Sequence, residues 1–408
     1  MPLNYLEIQK QVEEFGTYAA NRQQDTQDVV SHLQHVLEIN RDQHEAIHAR
    51  INLTREHHAS LRCAAPGTDL LDQVYDPPGE NRPAITVLAS DGSQIFPDNH
   101  GVTTYGVINT GIVSMNSHTD EIPEVTTETR LFYPGVPPFD QMDLNEDMIS
   151  FLRDIEERSL LCEKLVVEQS NHAPDAKGEL PFWVALTDGP LDLFAKPGSN
   201  RMQTRKLFDG YLTALLTVQQ SGGLIAGYIE RPRASMLVRT LEIMDTAEEE
   251  LTRKGRLDRQ YPGITDVMLF SGLLLPGQRT GVFRLLSNNE SNYSNRDPQL
   301  GLHFFYLNVG YYLRNGQPFN VFARVEIPAW VAYHKAQVDL LHQVLIEQSR
   351  ILGTTPYPYV LHRAHETAIV RFVEKEDLDR MIASQFLAKG LLKGQSTQKS
   401  ANKRLSGS

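Results

Sequence analysis

Two segments, Ile85-Thr86-Val87-Leu88-Ala89-Ser90-Asp91-Gly92 and Trp183-Val184-Ala185-Leu186-Thr187-Asp188-Gly189, repeat one pattern: a short apolar run that ends in Asp-Gly. Apolar runs of this length between turn signals predict strands covered on both faces. Strands of that kind need helices on both sides, so the chain is expected to be α/β. The end of such a strand is where rigid backbone presents a side chain into a crevice. A glycine directly after the acid lets the chain turn and leaves room for a ligand. Two carboxylates converging at neighbouring strand ends make an oxygen site for a hard cation, Mg²⁺ or Mn²⁺. A lone Asp-Gly is only a good turn dipeptide. The repetition carries the weight.

Around this pair the chain divides into three stretches. Residues 1–78 read as an N-terminal helical region and linker. Val29, Val30, Leu33, Val36 and Leu37 recur at helical spacing on an otherwise polar helix, which predicts packing on a partner helix, its own or another chain's. The Pro- and Gly-rich segment 64–83 reads as the linker. Residues 79–386 carry the strand and helix signals. Val102–Val113 and Thr126–Phe132 read as further strands, and Asn145–Gln169 as a helix with Met148, Leu152, Ile155 and Cys162 on one face. Phe208–Gln220, Ser235–Gly255 and Ala329–Leu352 read as helices, with antiparallel strands at Phe304–Val309 and Phe319–Ile327. Residues 387–408 form a basic tail with Lys389, Lys393, Lys399, Lys403 and Arg404 and no acid.

The net charge of −12 argues against a protein that coats nucleic acid by bulk charge. The two cysteines, Cys63 and Cys162, make neither a disulfide framework nor a zinc cluster, and point to a reducing cytoplasm. The N-terminus lacks a secretory apolar run, and the most apolar stretch is broken at Gln219–Gly223, so neither export nor a membrane span is expected.

A second chemical feature is Thr355-Pro356-Tyr357-Pro358-Tyr359-Val360-Leu361-His362-Arg363-Ala364-His365-Glu366. A neutral imidazole is a ligand for Mn²⁺ and a proton carrier near pH 7. Three other groups draw notice. Arg231-Pro232-Arg233 could touch phosphate or be an ordinary solvated loop, with equal weight. Arg324 and Glu326 alternate on one strand and read as a structural pair. His44 and His48 share a helical face, but no carboxylate is placed as in a metalloprotease.

Taken together, the first Asp-Gly-Ser, an acid-bearing helix, Thr-Asp-Gly-Pro-Leu, Arg324–Pro328 and the late Tyr-Pro-Tyr-Val-Leu-His-Arg-Ala-His-Glu resemble the NurA nuclease family over roughly residues 80–370. The resemblance implies an RNase H-like mixed sheet flanked by helices and a metal-dependent phosphodiesterase. It would cut DNA single strands and ends with Mn²⁺ or Mg²⁺ in end processing, repair or defence. It implies a homodimer docked on a HerA-type hexameric translocase. Carried over by position, Asp91 and Asp188 become metal ligands, and Tyr357 and His365 the late catalytic pair, with His365 also a ligand. The family's helix glutamate is assigned to Glu156, with Glu157 and Glu163 next, because a long segment before Asp188 blurs the count. The reading from another class is a catalytically weak adaptor of a motor ATPase, which the acidic balance favours and the retained site residues oppose.

Overall fold

The computed structural model describes residues 4–79, 84–98, 103–117, 122–140, 143–172, 181–193, 201–255 and 257–391. In chain order the elements begin with α1 (Tyr5–Ile39), α2 (His44–His57), β1 (Cys63–Pro66) and β2 (Val74–Tyr75). Then come β3 (Ile85–Ile95), β4 (Gly106–Asn116), β5 (Glu124–Phe132), α3 (Glu146–Asn171), β6 (Phe182–Asp188), α4 (Arg201–Ser221) and β7 (Leu224–Glu230). The third stretch holds α5 (Met236–Asp245), α6 (Glu248–Leu251), α7 (Asp266–Phe270), β8 (Arg279–Thr280), β9 (Phe283–Leu286) and α8 (Glu290–Arg296). A single 3₁₀ turn, Pro298–Leu300, leads to β10 (Leu302–Asn308), β11 (Tyr311–Tyr312), β12 (Pro318–Phe319) and β13 (Phe322–Pro328). The chain closes with α9 (Ala329–Ala332), α10 (Lys335–Ile351), α11 (Tyr359–Ala368) and α12 (Phe372–Ala388).

Two compact units share these elements. One comprises Met1–Arg82, Gly189–Asp192 and Ile225–Pro358; the other comprises Pro83–Asp188, Leu193–Leu224 and Tyr359–Ser408. The expected division at residue 78 differs from this because sequence composition reports local segments, whereas the units interleave along the chain.

In the second unit the strand order is β6–β3–β4–β5. β3, β4 and β5 form an antiparallel meander, and β6 returns parallel to β3. The crossover is α3, whose N-cap Asn145 accepts a 2.9 Å bond from the Met148 amide. Leu152, Ile155, Leu161 and Leu165 of α3 are buried, each stabilising by about 1.5–3 kcal/mol relative to exposure. Meander, long helix and parallel return are the RNase H-like mixed sheet that the family resemblance implies. On the far end of the meander, Val370, Leu378 and Ile382 pack on Ile95, Tyr105 and Val107, and Tyr105 Oη donates to Asp379 at 2.7 Å.

In the first unit an antiparallel sheet runs β1–β9–β10–β13–β7, with β8 joining β10 and β2. The segment read as a linker contains β1, whose Cys63, Ala64 and Ala65 are buried and paired with β9. Small side chains let this edge lie flat under α5, and the Pro and Gly that suggest a linker only end it. The stripe Leu33, Val36 and Leu37 is buried within the same unit, against α5 and α7, rather than left for another chain. Two long predicted helices are each broken: Ser235–Gly255 at Thr246-Ala247, and Ala329–Leu352 at Tyr333-His334. The basic tail beyond residue 391 lies outside the described residues. Among those described, no helix is long and apolar enough to cross a membrane.

Candidate active site

Parallel pairing of β3 with β6 runs from Ile85↔Phe182 to Ser90↔Thr187. Asp91 and Asp188 are the next residues on their strands, so they stand side by side where the parallel ladder stops. The sequence pattern places Asp91 at a strand end, but β3 continues to Ile95 because β4 outlasts β6 as a partner, with Asp91 opposite Gly111. Of the two glycines that follow the acids, only Gly189 turns the chain, at φ +88°. Gly92 stays in the strand and lets the Arg153 side chain and Glu157 approach the backbone: a Cβ there would meet Arg153 Cγ at 2.7 Å and Glu157 Oε2 at 3.4 Å.

Helix α3 brings two adjacent glutamates with different fates. Successive helical side chains point about 100° apart, so both cannot serve one site. Glu156 turns to Arg130 of β5 and pairs with it. Burial pushes its carboxyl up to about 7, against the opposing pull of Arg130. Glu157 turns to the strand ends. Its Oε1 accepts from Thr187 Oγ1 at 2.7 Å and lies 3.6 Å from Arg158, while its backbone carbonyl accepts from Ser90 Oγ at 3.0 Å. Burial pushes the Glu157 carboxyl up to about 8; Arg158 opposes this and the Asp91 charge adds to it. The structure thus directs the expected Glu156 away to Arg130, and Glu157 is the acid that reaches Asp91-Gly92. Glu163 is exposed.

The imidazole arrives from α11. Gly111 makes this possible: a Cβ there would sit 2.7 Å from the Ala364 carbonyl oxygen and 2.8 Å from the Ala368 nitrogen. With no side chain in the way, α11 lies on β4, and its Ala368 carbonyl accepts from Asn109 Nδ2 at 2.8 Å and from Ser93 Oγ. His365 Nδ1 then stands 2.6 Å from Asp91 Oδ2. Tyr357 belongs to the other unit, where its ring meets Tyr228 edge-on at 5.5 Å between centroids.

Several contributors escape a reading of the sequence. Arg158 donates to the Asp188 carbonyl at 3.3 Å as well as flanking Glu157. Ser90 and Thr187 both grip Glu157, and their signal was visible: a hydroxyl residue directly precedes each Asp-Gly.

Among the described residues, no three His, Cys, Asp or Glu side chains already converge on one point. The donors nonetheless suit a hard divalent cation. Asp91 and Asp188 would supply oxygen, and Glu157 is a buried carboxyl for which a cation would supply countercharge beyond that of Arg158.

No curated protein matches the sequence. The family model of the NurA domain matches residues 85–370, a span that contains all five positions drawn from the resemblance. The chain belongs to the NurA family. Similar solved structures include the NurA nuclease from Sulfolobus solfataricus, at 12% identity and TM-score 0.49, covering 79% of this chain and 89% of that one. The catalytic domain of human Endonuclease V is 13% identical, with TM-score 0.31, covering 85% of this chain and 99% of that one. Drosophila Piwi is 13% identical, with TM-score 0.29, over 69% of this NurA-family chain and 29% of its own.

Proposed function

We propose that this NurA-family chain is a divalent-metal-dependent DNA nuclease that cuts single strands internally and DNA from its ends. The observation that carries the reading is the pairing of Asp91 with Asp188 at the stop of one parallel ladder, with Glu157 and His365 reaching the same place. Asp91, Asp188 and Glu157 would hold Mn²⁺ or Mg²⁺ through oxygen, with His365 a further ligand candidate. A bound ion of this kind activates water and offsets charge on the phosphate oxygens. Thr187 and Arg158 fix the Glu157 carboxylate, so little reorganisation precedes reaction. His365 Nδ1 lies within hydrogen-bond distance of Asp91 Oδ2, where the ring would serve as a proton carrier. Glu156, already paired with Arg130, takes no part. Tyr357 is assigned to the DNA strand rather than to the acid cluster.

With a net charge of −12, capture of DNA is given to a partner, a HerA-type hexameric translocase that delivers the strand. The expected homodimer has a candidate face in the exposed Tyr5, Val12 and Phe15 of α1. The setting is cytoplasmic DNA-end processing, repair or defence. The test is cleavage of labelled single- and double-stranded DNA with Mn²⁺, Mg²⁺ or EDTA. Wild type should cut only with metal and Asp91→Asn should not cut; cleavage indifferent to both would sink the reading and leave the adaptor alternative.

A further inference from the structure

The first unit contains a groove of about 810 Å³ whose lining combines cations and aromatic rings. At one side are Arg231 and Arg233, directly after β7. Arg231 holds φ at +47°, in the left-handed region that a non-glycine residue rarely occupies. Strain of that kind persists only where surrounding structure enforces it, and it clusters at ligand sites. The Arg231 side chain is 85% exposed and only loosely paired with Glu230, at 3.3 Å. Arg233 is also exposed and has no carboxylate partner among the described residues.

At the other side stands Phe319, 44% exposed on β12. Its ring leans on Tyr311 at 5.2 Å between centroids, and the base of this β11–β12 hairpin is pinned by one buried side chain. Asn308 accepts from the Gly310 and Val321 amides at 3.0 and 3.2 Å and donates to the Leu274 carbonyl and Asn320 Oδ1 at 3.0 and 2.9 Å. The platform is therefore held before any ligand arrives. Tyr357 lines the same groove.

We propose that this groove binds single-stranded DNA, with bases stacked on Phe319 and Tyr357 and backbone phosphates held by Arg231 and Arg233. Rings and cations lining one channel are the recurring means of holding a single strand without sequence preference. A duplex keeps its base faces stacked inside, so it could offer the groove only phosphates. The inference rests on the nuclease reading for the purpose of the strand, but not for its binding.

Binding of fluorescein-labelled oligothymidylate to the full-length protein in EDTA, read by anisotropy, separates the two. Phe319→Ala should weaken binding by about 5- to 150-fold, the range for removal of one stacked base. That effect should vanish on an abasic strand of equal length. Arg231→Gln with Arg233→Gln should weaken both strands alike and flatten the slope of log affinity against log salt by about 1.4, or 0.7 for each phosphate no longer neutralised. Arg314→Ala, removing one positive charge from the hairpin tip outside the groove, should change affinity by less than about twofold. A Phe319→Ala effect equal on both strands, no effect at all, or duplex bound with the same dependence on Phe319 would overturn the proposal. Wild-type binding with these features but no cleavage in Mn²⁺ would support the groove and remove the nuclease reading. Cleavage with no groove dependence would do the reverse.

Discussion

Each unit carries a cluster of charge, and the two clusters are built differently. In the first unit Arg324 donates to Glu326 at 2.7 Å, and Glu326 accepts from the Asp192 amide at 3.2 Å. Asp192 accepts in turn from Arg62 and Asn289. Nearby, Asp266 accepts three amides of α5 and the Tyr306 hydroxyl. The acids there are bonded to fixed donors or a guanidinium, although burial and the neighbouring Glu326 push the Asp192 carboxyl up to about 6. In the second unit the Asp91 charge acts on the buried Glu157, Asp188 stands exposed beside Asp91 at the end of the parallel ladder, and the partners are the His365 ring and the Arg158 guanidinium. The first arrangement is enclosed by its own partners, whereas the second leaves Asp188 and the His365 ring exposed.

The largest effect should come from breaking the closed cluster. Arg324→Met leaves Glu326 buried without its cation and should cost about 3–5 kcal/mol in urea unfolding. Changing Glu326→Leu as well should recover much of that, since an apolar pair of similar volume needs no partner. If the double variant is no more stable than the single one, the pairing account of this cluster is wrong.

The open cluster should respond in activity rather than stability. Glu157→Gln is expected to lower the metal-dependent cleavage rate at least about a hundredfold, equivalent to roughly 2.7 kcal/mol, with its circular dichroism unchanged. Glu156→Gln should fall far less. Equal losses from the two would return the site glutamate to an open question.

The smallest expected effect is in pH. Folded, Glu157 titrates near 8, against 4.5 for the ordinary side chain. Between those values the folded protein keeps a proton that the unfolded chain has released, so this group makes the metal-free protein less stable as pH rises from about 4.5 to 8. Glu157→Gln should remove that share of the slope and raise the melting temperature at pH 8 by about 2–4 °C relative to wild type. Saturating Mn²⁺ should flatten the wild-type slope too, because the ion displaces the proton. A pH profile shared by wild type and variant would count against the burial of this acid.

Legibility followed the range of the interactions. Asp91 and Asp188 could be read because apolar run, acid and glycine are adjacent in sequence. His365 came through the family resemblance, and nothing local announces that it meets Asp91, 274 positions earlier. Glu156 and Glu157 are neighbours that are both buried, so periodicity could not separate them; their partners Arg130 and Thr187 are both distant in sequence. β1 was hidden because its buried residues are small and it abuts Pro66 and Gly67.

The interleaving of the units also bears on how the protein is made. The unit that holds both aspartates is finished only by a segment beginning at Tyr359, after the chain has passed through Ile225–Pro358 of the other. On a ribosome adding about 5–20 residues per second, the 177 residues from Asp188 to His365 (365 − 188) take roughly 10–35 s. The nascent chain therefore holds Asp91 and Asp188 well before α11, which covers Gly111 and brings His365 to Asp91, can join them.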